Sequence, residues 1–262
     1  MTTLADRTIG SLRRLHDDLA IRVARLSDEE LSARSGASDW TVAQVLSHLG
    51  SGAEITLAGY RAALEGRDAP GQDFNESVWS RWDTSSPRDQ AAGFLKHDAA
   101  LVAGLEELTP HERETLRLPV GFLPEPLSLA TFGGMRLNEA ALHGWDVRVA
   151  LDPGATIDAD TAEVLVDHLA GGLGFLLGFA GRADQLPEPT VVRIEGSSTA
   201  IAVDGGVSLT TSAGAPTARL TGGVEAAVRL IAGRLTPAHT PADVRVNGNV
   251  TLEDLRRVFP GY

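Results

Sequence analysis

The sequence contains no cysteine. This absence excludes disulfide bonds, thiolate metal ligands and a cysteine nucleophile, so any metal would be bound by histidine, aspartate or glutamate. Thiol chemistry would need a thiol from a cofactor or substrate. Basic residues are also few, 23 against 35 acidic ones, and Lys96 is the only lysine. The net charge of −12 argues against nucleic acid and anionic membranes as partners, because both require a basic surface.

Long apolar segments are missing as well. The sequence has no run of about 18 apolar residues, the length that a membrane-spanning helix needs. Its first residues lack the apolar core of a signal peptide. We therefore expect a cytoplasmic protein without a membrane partner. The 262 residues are enough for two domains with a sizeable core.

The first half of the chain has the apolar periodicity of long helices. These helices are predicted over roughly residues 4–26, from Asp39 or Thr41 to about Leu64, from Pro87 to about Leu105, and over 128–151. Residues 66–75 are predicted to form a loop, and residues 109–127 hold four prolines, which exclude a regular helix. The sequence thus predicts a four-helix bundle.

The triplet Asp152-Pro153-Gly154 predicts the boundary between a domain of residues 1–152 and a second of residues 153–262. A fifth helix is expected over about 158–181, after which apolar residues alternate as in strands. The remaining elements are predicted as strands at 190–195, 200–203, 207–211, 218–221 and 244–246, and helices at 224–232 and 252–258. The predicted fold class is α+β, a helical bundle followed by a smaller mixed domain.

A candidate metal site lies in the fourth predicted helix. Glu139 and His143 are four residues apart, so their side chains share one helix face. They would supply two of the three protein ligands of a catalytic zinc site, and His48 on another helix could supply the third. A Glu-x-x-x-His pair alone is weak evidence, since most such pairs lie on surfaces. A histidine such as His48, flanked by Val45 and Leu49, is more often part of a core than a ligand. Asp146 could be a ligand or could hydrogen-bond His143.

Two segments carry a resemblance to a known family. The segment Trp40-Thr-Val-Ala-Gln-Val-Leu-Ser-His48-Leu-Gly resembles the second-helix motif of the mycothiol-dependent maleylpyruvate isomerase family. The segment from Glu139 to Asp146 resembles its second motif, Glu-x-x-x-His-x-x-Asp. The resemblance covers roughly residues 5–155.

This resemblance implies a DinB-like four-helix bundle that binds zinc or another divalent ion. By this likeness, His48, Glu139 and His143 are the metal ligands, and Asp146 supports them. The number of residues between the two motifs in this chain is also similar to that in the family.

The resemblance extends to polar residues outside the ligand set. Asn75 and Arg81 fall in a segment where the family keeps polar residues near the site, which implies cofactor binding by both and a catalytic role for Arg81. Gly233-Arg234 is similar to a Gly-Arg element of the family's second, sterol-carrier-like domain, which implies that Arg234 faces the metal site. The alternative is that Arg234 is a cation that only complements a helix dipole.

The family implies mycothiol as the thiol cosubstrate. A metal with one open position would bind its sulfur as thiolate, which would attack a small electrophile, with Arg234 holding a carboxylate of the substrate. Isomerisation and S-transfer need the same thiolate, so the sequence leaves both open. The alternative is a non-catalytic metal-binding protein whose second domain binds an apolar ligand, with Asp146 closing the metal site. We expect a monomer or weak homodimer.

Overall fold

The computed structural model describes residues 2–37, 39–121, 123–212 and 214–261. The chain divides into two compact units, of which the first ends at Ala155 and the second begins at Thr156. The first unit is mostly helical and the second contains a five-stranded sheet. The α+β fold class predicted from the sequence is confirmed.

Four long helices build the first unit. The helix α3 packs against both α5 and α7, and α1 packs against the same two, which closes a four-helix bundle. A short antiparallel pair, β1 with β2, precedes α7. The elements are α1 Leu4–Val23, α2 Asp28–Ser32, α3 Val42–Leu64, α4 Gln72–Asp83, α5 Pro87–Glu106, α6 Pro110–Thr115, β1 Arg117–Leu118, β2 Leu127–Ser128 and α7 Leu129–Leu151.

Capping residues set where several helices begin. Thr41 is the N-cap of α3, since its hydroxyl accepts a hydrogen bond from the Gln44 backbone while the Gln44 side chain accepts one from the Thr41 backbone. Of the two predicted caps, the structure therefore selects Thr41. A second box of the same kind, Ser27 with Glu30, starts α2. The helix α1 ends at Val23, with Ala24 as its C-cap, a turn earlier than predicted.

The helix α4 was not predicted from the sequence. It is anchored by Trp82, which is 4% exposed and donates from its indole nitrogen to Glu54 at 2.9 Å. The indole lies against Gly50 and Gly93, where an added Cβ would come within 2.2 and 2.7 Å of ring atoms. Two glycines on neighbouring helices therefore make the space that holds α4 in place.

The proline-rich segment contains a short helix that the sequence did not predict. Residues 109–127 contain the short helix α6, which begins at Pro110 with Thr109 as its cap. Proline fits the first turn of a helix, where a backbone N–H has no helical partner. The expectation of no regular helix in this segment is therefore wrong for residues 110–115.

The second unit is built on one mixed sheet. Its strand order is β5-β4-β3-β6-β7, with β3 and β6 parallel and the other neighbours antiparallel. The helices α8 and α10 pack against each other, and α10 also contacts β3. The elements are α8 Ala159–Leu169, α9 Leu177–Ala180, β3 Thr190–Ile194, β4 Ala200–Val203, β5 Val207–Thr210, β6 Ala218–Leu220, α10 Gly223–Ile231, β7 Val246–Gly248 and α11 Leu252–Val258.

The predicted fifth helix is broken. It ends at Leu169, and after residues 170–173 a 3-10 turn at Gly174–Leu176 leads into α9. Several glycines lie in this segment, and glycine is a poor helix former. Among the described residues no single helix is long and apolar enough to cross a membrane, and one pair, Ala159–Leu169 with Gly174–Ala180, meets that test only together, across an 85° bend. The last strand is also displaced, to Val246–Gly248 from the predicted 244–246.

Candidate metal centre

Three potential ligands converge where α3 packs on α7. His48 comes from α3, and Glu139 and His143 come from α7, one turn apart. His48 Nε2 lies 2.9 Å from Glu139 Oε2, and His143 Nε2 lies 3.6 Å from the same oxygen. One ligand atom from each of the three residues lies within 4.8 Å of the other two. The spacing of the motif and the packing of two helices together create this group.

The group has dimensions that fit a divalent ion. Ligands about 2.1 Å from a tetrahedral metal lie about 3.4 Å apart, and the observed separations of 2.9 and 3.6 Å are on either side of that value. Two imidazoles and one carboxylate form a donor set that zinc uses in catalytic sites. The side chains of His48 and Glu139 are 41% and 39% exposed, so a ligand from solution can reach them.

Asp146 lies behind His143. Its side chain is fully buried and its Oδ2 is 2.8 Å from His143 Nδ1. A proton on Nδ1 leaves Nε2 unprotonated and directed toward Glu139, which is the tautomer a metal ligand needs. Asp146 does not belong to the group of converging ligand atoms in the described structure. The geometry favours a supporting role over direct ligation.

The loop before α3 holds Asp146 in position. The Gly36 backbone donates to the Asp146 carbonyl oxygen at 2.8 Å. A Cβ at Gly36 would lie 3.0 Å from Asp146 Oδ1 and 2.7 Å from a methyl group of Val149. Only glycine therefore allows the loop to approach α7 this closely.

Trp40 covers both imidazoles. Its ring centroid lies 5.2 Å from that of His48 and 5.8 Å from that of His143. The two imidazoles are 4.8 Å apart in an edge-to-face arrangement. The sequence pattern indicates no role for Trp40 beyond the start of a helix motif, and in the structure this residue lies on a loop closed by the Arg34–Thr41 bridge. Helical periodicity gives no information about such a loop.

Glu139 is kept as a carboxylate by its neighbours. Burial by itself would raise the pKa of Glu139, but the hydrogen bond with His48 and the electrostatic influence of His143 and Arg136 hold that pKa below its ordinary value. A deprotonated carboxylate is the form that binds a metal.

A buried charge network lies next to this site. Arg136, one turn before Glu139 on α7, donates to Asp98 Oδ1 at 2.7 Å and to the Leu49 carbonyl oxygen at 2.9 Å. His16 Nδ1 lies 2.8 Å from Asp98 Oδ2. Burial would raise the pKa of Asp98, but these two partners hold it below its usual range. Helices α1, α5 and α7 are thereby linked through charges inside the bundle.

The remaining predicted residues lie outside the ligand group. Arg81 on α4 donates to Glu54 at 2.6 Å. The Oδ1 atom of Asn75 is buried without a hydrogen-bond partner in the described part of the chain. Arg234 follows the end of α10 in the second unit and donates to the Ala232 carbonyl oxygen at 3.1 Å. The roles of Asn75, Arg81 and Arg234 stay predictions.

A cavity of about 420 Å³ opens beside His48. We call it the indole pocket, because two tryptophans from different elements line it. Its lining residues are Trp40, Gln44, Ser47, His48, Ser51, Trp79, Asp83 and Gln90.

Comparisons with known proteins agree with the motifs. The sequence profile of the mycothiol maleylpyruvate isomerase N-terminal domain matches residues 12–148. The fold resembles the crystal structure of the mycothiol-dependent maleylpyruvate isomerase, with 18% identity, a TM-score of 0.65, and coverage of 95% of this chain and 98% of that one. A histidine-to-alanine variant of that enzyme matches with the same coverage and TM-score at 17% identity. No curated protein matches the sequence significantly.

Proposed function

Because the chain belongs to the mycothiol maleylpyruvate isomerase family, we propose that it is a mycothiol-dependent enzyme with a metal centre formed by His48, Glu139 and His143. The observation that carries this proposal is the convergence of two imidazoles and one carboxylate at a partly exposed site. A divalent ion bound there, zinc by donor type, would lower the pKa of a thiol and stabilise its thiolate at neutral pH.

Each residue of the site has a defined task in this proposal. His48 and His143 offer neutral nitrogens, and Glu139 offers a negative charge that partly balances the cation. Asp146 fixes the proton of His143 on Nδ1, and Trp40 shields one side of both rings. The chain has no cysteine, so the sulfur nucleophile comes from the cosubstrate.

The reaction follows from the thiolate. The sulfur adds to a carbon–carbon double bond conjugated to a carbonyl group, and the displaced electron pair moves to the carbonyl oxygen as an enolate. The former double bond is now single and rotates. When the enolate re-forms the carbonyl, it expels the thiolate and leaves the trans alkene. When the enolate carbon takes a proton from water instead, the product is a thioether conjugate. The family favours isomerisation, and S-transfer is the second outcome.

Two arginines are proposed to orient a carboxylate on the substrate. The planar guanidinium of Arg234 can bind a carboxylate through two parallel hydrogen bonds. Arg81 is the weaker candidate by its resemblance to the family, and its guanidinium forms an ion pair with Glu54 at 2.6 Å. Binding substrate there would require breaking that pair.

A thiol-dependence assay tests the proposed function. The zinc-loaded protein is incubated with maleylpyruvate, other cis-unsaturated keto acids and epoxides, with and without mycothiol. We expect turnover only with both metal and mycothiol, and loss of metal and turnover in His48→Ala and His143→Ala. Arg234→Ala should keep the metal and raise KM or lower kcat, whereas Arg193→Ala, an exposed arginine on β3, should behave as wild type.

The proposal is wrong if mycothiol stimulates no reaction across the whole panel. In that case the better interpretation is a non-catalytic metal-binding protein whose second domain binds an apolar ligand. That alternative predicts saturable uptake of a fluorescent fatty acid by the full-length protein, unaffected by removal of the metal.

A further inference from the structure

We propose that the indole pocket binds the sugar portion of the thiol cosubstrate. Mycothiol is an acetylated cysteine joined to glucosaminyl-inositol, so its sulfur is attached to a neutral part that is rich in hydroxyl groups. This inference rests on the proposed function, because it assigns a binding place to the rest of the molecule whose sulfur would reach the metal. The lining residues, the charge and the size of the pocket support this inference.

The two tryptophans present flat apolar surfaces to the pocket. Trp40 is 38% exposed and Trp79 is 42% exposed. Five large apolar side chains are exposed in the described part of the chain, and these two line the same cavity. Exposed indoles at a cavity indicate a ligand-binding surface. An indole packs well against the C–H face of a sugar ring, while its N–H end stays in contact with water.

The rest of the lining is polar and suits hydroxyl groups. Ser47 and Ser51 supply hydroxyls, and Gln44 and Gln90 supply amides. Ser47 is only 5% exposed, and its hydroxyl makes no hydrogen bond to any residue that the structure describes. Because Ser47 lines the cavity, its hydroxyl can form a hydrogen bond with whatever occupies the cavity. A sugar hydroxyl can be its partner, as donor or as acceptor.

The charge of the pocket favours a neutral ligand over an anion. None of the described residues that line it is lysine or arginine, and Asp83 contributes a carboxylate. A dicarboxylic substrate would be repelled by Asp83, whereas a carboxylate accepts hydrogen bonds from sugar hydroxyls. The indole pocket therefore suits the neutral glycoside better than it suits an anionic substrate.

The pocket lies next to the candidate metal centre. His48 lines the pocket and also belongs to the ligand group. A molecule with its sugar in the pocket would thus have its thiol arm beside the metal. The pocket is also preformed, because α4, which carries Trp79 and Asp83, is fixed by the buried Trp82. A volume of about 420 Å³ is typical of small-molecule sites.

Calorimetry on the zinc-loaded full-length protein tests this proposal. The two probes are mycothiol and N-acetylglucosaminyl-inositol, a neutral fragment without sulfur. We expect the fragment to bind and to compete with mycothiol. Trp79→Ala should weaken binding of both probes on the order of tenfold, since the stacking surface is lost. Ser47→Ala should weaken both severalfold.

The controls separate the pocket from the metal centre. Zinc content should be unchanged in Trp79→Ala, and Ile21→Ala, an exposed apolar residue on α1 that is 59% accessible, should bind both probes as wild type does. Fragment binding that depends on Trp79 supports the pocket even if mycothiol supports no turnover. Absence of fragment binding, or fragment and mycothiol affinities unchanged in Trp79→Ala and Ser47→Ala, overturns the pocket even if mycothiol-dependent turnover is observed.

Discussion

Replacing Asp146 by asparagine tests whether this carboxylate supports the metal centre through His143. Asp146 is fully buried and lies 2.8 Å from His143 Nδ1. Asparagine has almost the same shape, so the main loss is the negative charge behind the imidazole. Loss of such a partner weakens metal binding about 10- to 100-fold, which corresponds to about 1.4–2.7 kcal/mol. We expect Asp146→Asn to bind zinc more weakly within this range while remaining folded.

Competition against a chromophoric zinc chelator measures this affinity, and circular dichroism checks the fold. Asp98→Asn is the matched control, because Asp98 is also buried and lies 2.8 Å from the Nδ1 atom of His16, yet it is outside the ligand group. It should be measured well below its melting temperature, and its zinc affinity should fall less than that of Asp146→Asn, because Asp98 reaches the ligand group only through Arg136. Wild-type affinity in Asp146→Asn would refute the supporting role. A loss as large as that of His143→Ala would instead make Asp146 a ligand.

Three further predictions concern packing and pH. Gly36→Ala should cost about 1–3 kcal/mol of stability and weaken zinc binding, because its Cβ would lie 3.0 Å from Asp146 Oδ1; unchanged zinc affinity in a chelator titration would contradict this. Gly50→Ala should reduce the free energy of unfolding by a similar amount and so lower the melting temperature, because its Cβ would lie 2.2 Å from the Trp82 ring. An unchanged melting temperature would show that the ring can move at no cost. Because the pKa of Asp98 is lowered in the folded protein, its ionised carboxylate stabilises the fold at any pH above the ordinary aspartate pKa. This contribution to stability is lost as the pH falls through the lowered pKa. Denaturant unfolding from about pH 5 to about pH 2 should therefore show a shallower acid loss in Asp98→Asn than in wild type, and parallel curves would speak against it.

The long helices could be predicted because their apolar faces repeat over several turns. The helix α4 was missed because only Val78 and Trp82 are buried along it, which leaves too thin a pattern. The predicted helix at 158–181 was too long. The apolar periodicity continues past Leu169, but the helix ends there, where several glycines follow. Periodicity reports burial, and it does not report where the backbone turns.

The candidate site was partly visible in the sequence. Glu139 and His143 share one helix, so their spacing alone places them together. The contact of His48 with Glu139 depends on α3 packing against α7, which spacing cannot supply and which only the family resemblance indicated. Trp40 reaches the imidazoles from a loop. The ion pair of Arg81 with Glu54 joins two helices, so no local pattern could have shown it.

The absorption spectrum of the cobalt-substituted protein tests the central claim most directly. Cobalt binds in zinc sites of this donor type, and a thiolate that coordinates it produces a charge-transfer band. Addition of mycothiol to the wild-type protein should produce this band, and N-acetylglucosaminyl-inositol, which lacks sulfur, should not. The band should be absent in His143→Ala. A spectrum that does not change at saturating mycothiol would contradict the proposal that this centre binds and activates a thiol.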